Sequence, residues 1–135
     1  MDGNVLEEGR GSSTRCEEGY EELRGRLVGG LMEAQREFVE DDEHLILGMC
    51  AGFGAGKTRA LCCKAVLMCM DNPGKVGAVF EPTNILLRDV WMRSFDDFLE
   101  EYGIEHDFRV SPQPEYVIHG PRGSTTLLCR ATETW

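Results

Sequence analysis

The sequence predicts an α/β domain, a parallel sheet flanked by helices, with an antiparallel hairpin at its C-terminal end. Three observations predict it. Compact apolar runs of strand character alternate with longer helical ones, and a glycine-rich turn joins the first strand to the first long helix. The last two alternating segments are separated by Gly120-Pro121-Arg122-Gly123, a hairpin-turn composition. Strand, helix, strand, helix and then hairpin is α/β order, in which parallel crossovers are right-handed.

At 135 residues, with 41% hydrophobic and 28% charged residues, the chain has room for one core. The longest apolar run, 60–70, is interrupted by Lys64 and falls short of the roughly 18–20 residues a membrane span requires. Met1 is followed by Asp2, Gly3, Asn4 and a Glu-rich stretch, so a secretory signal is not expected and the cell interior is. The net charge of −10 discourages a nucleic-acid role, but residues 1–43 hold 13 of the 24 acids against 5 of the 14 bases. Residues 44–135 are therefore nearly balanced, and the objection weakens. The six cysteines form no C-x-x-C pair, and Cys62, Cys63 and Cys69 lie in an apolar helical run where a free thiol packs as a small hydrophobe. His44, His106 and His119 have no second ligand at metal-binding spacing.

Residues 1–16 are rich in Gly, Ser and Glu and read as a flexible acidic leader; residues 17–135 form the domain. From Glu17 to Val39, Tyr20, Leu23, Leu27, Leu31 and Phe38 recur at helical spacing, interrupted by Gly25, Gly29 and Gly30, so two helices are expected. His44-Leu45-Ile46-Leu47-Gly48-Met49-Cys50 reads as a buried strand. Residues 57–70 are apolar nearly all round, as for a helix packed on several sides, and Asp71-Asn72-Pro73-Gly74 stops it. A strand over 76–80 follows. Leu87, Trp91, Phe95, Phe98 and Tyr102 then mark an amphipathic helix over 84–102 with Gly103 as its cap. Short strands at 108–110, 115–119 and 125–130 complete the chain.

Between the first strand and the first long helix stands Ala51-Gly52-Phe53-Gly54-Ala55-Gly56-Lys57-Thr58, which fits the phosphate-loop pattern G-x-x-x-x-G-K-[ST] with Ala for the first Gly. A loop that binds phosphate must turn sharply and point backbone N–H groups inward, which Gly52, Gly54 and Gly56 permit. The following helix adds the partial positive charge of its N-terminus. Lys57 is the residue to reach the β- and γ-phosphates, and the Thr58 hydroxyl the one to hold Mg²⁺ carried with ATP. Gln35 lies 22 residues before Lys57; its amide offers the paired donor and acceptor that an adenine edge matches, though a lone Gln is also an ordinary surface residue. Hydrolysis needs an acidic pair ending a buried strand, and none is present. Glu81, the only acid ending an apolar strand, reads as a strand-end residue, so the chain looks cut before its catalytic half.

The segments Gln35-Arg36-Glu37-Phe38, 51–58 and 79–90 (VFEPTNILLRDV), in this order and spacing, resemble the N-terminal ATPase domain of the large terminase subunit of tailed bacteriophages. The resemblance covers roughly residues 31–135. It implies a P-loop NTPase fold of the RecA/helicase-like group, adenine contact by Gln35, and nucleotide contacts along Gly52, Phe53, Gly54, Ala55, Gly56, Lys57, Thr58 and Arg59. Lys57 is implied as the catalytic residue and Thr58 as the Mg²⁺ ligand. It also implies an ATP-driven motor that moves double-stranded DNA into a procapsid in the host cytoplasm. Its partners would be a portal protein, a small terminase subunit and other copies of itself, with no membrane. The acidic pair and the nuclease domain of that family would lie beyond Trp135. Many terminases carry an arginine at the position of Phe53; here Arg59 or a neighbouring subunit's arginine would substitute. Pro82-Thr83 resembles a segment near the nucleic-acid path, where Thr83 could donate to a phosphate; it is equally a helix N-cap. Two other functions share these motifs: a helicase-like nucleic-acid-dependent ATPase, and a non-catalytic nucleotide-binding assembly module.

Overall fold

A computed structural model describes residues 2–50, 52, 56–110 and 112–134, the side chains of 2–13 and 134 excepted. Helices α1 (Asp2–Gly29), α2 (Glu33–Glu40) and α3 (Lys57–Asp71) precede strand β1 (Val76–Glu81). Helix α4 runs on from Asn84–Leu86 through a π-helical stretch, Leu87–Met92, into Arg93–Glu101. Strands β2 (His106–Arg109), β3 (Glu115–Gly120) and β4 (Gly123–Ala131) follow, and a 3₁₀ turn spans Thr132–Thr134.

The fold is mixed α/β, but the sheet is not the parallel one expected. Its order is β1-β4-β3-β2, and only β1 and β4 run parallel. The hairpin accounts for this: the turn between Gly120 and Gly123 returns β4 along β3 and makes β4 central, while β2 adds antiparallel to β3. Register Tyr116↔Leu127 and Val79↔Cys129 sets Tyr116, Ile118, Leu127, Cys129 and Ala131 on one face, where all five are buried.

That face carries the helices. In α3, Ala60, Cys63, Leu67 and Met70 recur at three and four, and Cys62, Val66 and Cys69 form a second buried row; two buried rows explain why the segment is apolar nearly all round. The helix stops where Asn72 Nδ2 donates to the Met68 carbonyl (2.8 Å) and Pro73 cannot continue the ladder. In α4 the extra residue per turn of the π-helical stretch accompanies a stack of Trp91 on Phe95 (centroids 5.1 Å apart). Phe95 meets Tyr116 edge-on at 5.0 Å, and the Tyr116 hydroxyl donates to Asp96. Burial and that bond push the Tyr116 phenol well above its usual range.

Helix α1 is long and α2 short, with the break at 30–32. Gly30 is required there because a Cβ would overlap the Tyr102 hydroxyl. No break in α1 marks the leader boundary expected at residue 16. Arg122, over the Tyr20 ring at 3.7 Å and paired with Glu17 at 2.9 Å, fixes α1 to the hairpin turn.

The expected buried strand at 44–50 is absent from the sheet: the segment is irregular, with Leu45 103% and Ile46 92% exposed. A strand exists only through a neighbour's hydrogen bonds, and among the described residues β1 pairs on one side, with β4. No described helix is long and apolar enough to cross a membrane.

Candidate functional site

The site is the entrance to α3. Gly56 is its N-cap, with φ 79° and ψ 25°, a left-handed conformation that only glycine adopts freely. Gly56 opens a 15-residue helix, whose N-terminal end carries the partial positive charge of the helix dipole. Lys57 opens the helix and is exposed; Thr58 and Arg59 are half-buried. Gly52 is exposed, whereas Phe53, Gly54 and Ala55 lie outside the described residues.

Gln35 meets this entrance. Its side chain is almost fully buried (3% exposed) and both ends of the amide are engaged. Nε2 donates to the Gly56 carbonyl at 2.9 Å, and Oε1 accepts from the Met32 backbone N–H at 2.8 Å. The second bond satisfies an orphan donor at the start of α2, and the first anchors the loop exit. The Gly56 carbonyl also accepts from Ala60 N–H at 3.0 Å, so it carries both the first helical bond and the clasp. A Cβ on Gly56 would overlap Gln35 Nε2, so glycine is demanded by contact as well as by backbone angle.

Arg59 turns away from the loop. Its guanidinium forms a two-pronged pair with Glu101 (2.9 Å for each prong), donates to the Tyr102 hydroxyl at 3.0 Å, and lies 5.5 Å from the Phe98 ring centroid. The pair holds Arg59 firmly protonated and the Glu101 carboxyl below the usual carboxylate range. Lys64, one turn and a half further on, donates to the Val39 and Asp41 carbonyls at 2.9 and 2.5 Å, capping α2.

Because α3 and β1 are joined by the short turn 72–75, the helix start and the strand end lie at the same end of the domain. Glu81 ends β1 there. Thr83 Oγ1 accepts from Leu86 N–H at 3.1 Å, which is the helix-cap role. Glu133 was not legible in the sequence: from the turn after β4, its carboxylate accepts from Asn84 N–H at 2.7 Å, a second cap on the same helix.

The cysteines are free thiols, and burial pushes Cys62 up to about 12 and Cys63, Cys69 and Cys129 to about 11, as apolar packing demands. Two of the three histidines pair with acids: His44 with Asp41 at 2.8 Å, and His119 with Asp107 at 2.8 Å and Ser124 at 2.7 Å, which ties β2, β3 and β4 together; His106 Nδ1 lies 2.8 Å from the Ile104 carbonyl. Among the described residues no group of three His, Cys, Asp or Glu is arranged to hold a metal.

No family model, curated protein or solved structure matches this chain.

Proposed function

We propose that the α3 entrance binds Mg-ATP, with Gly52 to Gly56 cradling the phosphates, Lys57 countering their charge, and Thr58 supplying one Mg²⁺ ligand. The observation that carries the reading is the Gln35–Gly56 hydrogen bond. Two motifs read independently from the sequence, 21 residues apart, meet at the mouth of one helix. A left-handed glycine followed by a long helix supports the reading, since the positive end of such a helix favours a phosphate. Lys57 is exposed at the first helical position, within reach of an anion bound there. The Thr58 hydroxyl, half-buried in the first turn, is a hard oxygen of the kind Mg²⁺ accepts, with phosphate and water completing its shell.

Gln35 orients the loop exit; with its amide buried and both ends bonded to the protein, adenine contact by Gln35 requires those bonds to loosen. Arg59, engaged with Glu101, supports the helix start from outside, and nucleotide contact by its guanidinium requires release of that pair. The P-loop NTPase fold is part of this reading. The wider function, the ATP-binding portion of a terminase-like motor that drives double-stranded DNA into a procapsid, rests on the sequence resemblance alone. Portal protein, small terminase subunit, self-association and a host-cytoplasmic setting belong to that wider proposal. So does ATP hydrolysis, for which Lys57 would stabilise charge on the transferred phosphoryl group.

Calorimetric titration of Mg-ATP into wild type and Lys57→Ala tests the core of the reading. Saturable binding that weakens at least about tenfold in the variant, roughly 1.4 kcal/mol, is expected. Equal affinity in the two proteins removes the assignment.

A further inference from the structure

The sheet ends at β2, the strand farthest from β1 in the order β1-β4-β3-β2, and among the described residues no strand lies beyond it. Alternation decides which backbone groups are left over. His119 N–H donates to the Glu105 carbonyl at 2.9 Å, and β2 runs antiparallel to β3 in the register Asp107↔Val117. Glu105, Asp107 and Arg109 therefore turn their N–H and C=O groups toward β3, while His106, Phe108 and Val110 turn theirs out of the sheet. The side chains at this edge are bare as well: Phe108 is 42% exposed and Val110 68%. One side of the Phe108 ring packs against Tyr116, at 4.8 Å between centroids, and the other meets water.

The sequence of this edge is its own complement. Asp107 precedes Phe108 and Arg109 follows it, so the charge reverses sign about the central residue. Two copies of β2 laid antiparallel must match outward-facing residues with outward-facing ones, which places a central two-fold axis at residue 107, 108 or 109. Charge selects among the three. An axis at 107 sets two Asp107 carboxylates opposite each other, and one at 109 sets two Arg109 guanidinium groups opposite each other. Like charges directly opposite destabilise a strand pair, and unlike charges stabilise it. An axis at Phe108 sets Asp107 of each copy opposite Arg109 of the other. Both side chains are within reach: Asp107 is mostly exposed, and Arg109 is held only by Glu115 at 3.4 Å. The same axis brings the two Phe108 rings side by side and sets Val110 of each copy against His106 of the other, so the bare apolar groups of the edge cover one another.

We infer that β2 is a self-association edge: two copies of this chain pair through it about a two-fold axis at Phe108, joining their sheets into one. Backbone hydrogen bonds close the seam in pairs, at Phe108 and at each match of His106 with Val110. The interface is isologous and closed, so it stops at two copies. A seam this short lies at the low end of interface size, below about 1,200 Å², and the pair dissociates on dilution. The inference rests on residues 105–110 and not on the nucleotide reading.

Sedimentation velocity on the nucleotide-free, full 135-residue protein tests it. Between about 5 and 500 μM, where an interface this small dissociates, the mass is expected to rise from one chain to two and stop there. Asp107→Arg and Arg109→Asp each set like charges across the seam, and each alone is expected to weaken the pair at least about tenfold. Mixed in equal amounts, the two variants set Arg opposite Asp at both matches, and the mixture is expected to associate about as tightly as wild type. Phe108→Pro removes the outward N–H that makes the central bonds, at an edge position where proline is tolerated, and is expected to stay monomeric. If that variant fails to fold, the mixture decides, because its recovery requires both charge variants to be folded. A wild type that stays monomeric throughout the range, or grows beyond two copies, overturns the pairing. So does a dimer indifferent to these substitutions, or a mixture no tighter than its components. No arm contains nucleotide, so failure here leaves the ATP titration standing, and failure there leaves the β2 pair standing.

Discussion

The Gln35 amide donates to the carbonyl of Gly56, the residue that caps α3, at 2.9 Å. A side chain from one helix thus fixes the backbone at the mouth of another. Its own burial means that the bond exchanges little with water. Any ligand at the α3 entrance meets a loop exit already held in position, which lowers the ordering cost of binding.

Removing that side chain has a definite cost. Gln35→Ala leaves the Met32 N–H without its partner and opens a small void, so a loss of about 1–3 kcal/mol is expected from chemical denaturation. Arg36→Ala, at the exposed neighbouring position, is expected to stay within about 0.5 kcal/mol of wild type. Similar losses for the two would mean that the clasp is not formed in solution.

Gly56 and Gly74 separate backbone strain from contact. Both have φ near 80°, but a Cβ on Gly74 meets open space while one on Gly56 meets Gln35. Each Ala substitution incurs about 1–2 kcal/mol for the left-handed backbone. Gly56→Ala is expected to lose more than Gly74→Ala in denaturation midpoint, and to recover part of the excess when combined with Gln35→Ala. Equal losses contradict the contact.

The Arg59–Glu101 pair gives acid sensitivity with a defined sign. Because Arg59 depresses the Glu101 carboxyl in the folded protein, its stabilisation is complete above the ordinary carboxylate range and is lost as pH falls through the lowered folded value. Thermal melts between pH 7 and pH 3 are expected to fall less steeply in Glu101→Gln than in wild type. Parallel curves rule out a contribution from this pair.

The thiols divide into two classes. Cys50 is exposed and Cys16 partly so, while Cys62, Cys63, Cys69 and Cys129 are buried, with the thiol held protonated up to about pH 11. At pH 8, a thiol-specific chromogenic reagent is expected to label Cys50 and Cys16 in the native protein and the other four only after denaturant is added. Early labelling within α3 contradicts the packed core.

Most elements were legible in the sequence because each has a local cause. Asn72-Pro73-Gly74 stops α3, the 120–123 turn makes the hairpin, and Leu87 to Phe98 draw α4 onto the sheet. Sheet order was not legible, since nothing local to β4 indicates that it pairs with β1 on one side and β3 on the other. The segment 44–50 was read as a strand from its apolar run, but that run reports only a preference for burial, and the partner that would satisfy it is a tertiary matter. At the site, Gly56, Lys57, Thr58 and Gln35 were singled out by type and spacing, and Gln35 and Gly56 do meet. Glu101 and Glu133 were missed because an exposed acid carries no sign of its partner until the fold brings one to it.

The most direct measurement of the central claim is a ¹⁵N–¹H correlation spectrum of the protein titrated with Mg-ATP. The account predicts large, saturable shifts of the Gly52, Gly54 and Gly56 amides and of Lys57 and Thr58, with the Gln35 side-chain amide moving alongside. It also predicts that these shifts are absent in Lys57→Ala at the same concentrations. If these amides stay in place at saturating Mg-ATP, or if the shifts cluster elsewhere and persist in Lys57→Ala, the entrance of α3 is not a nucleotide site.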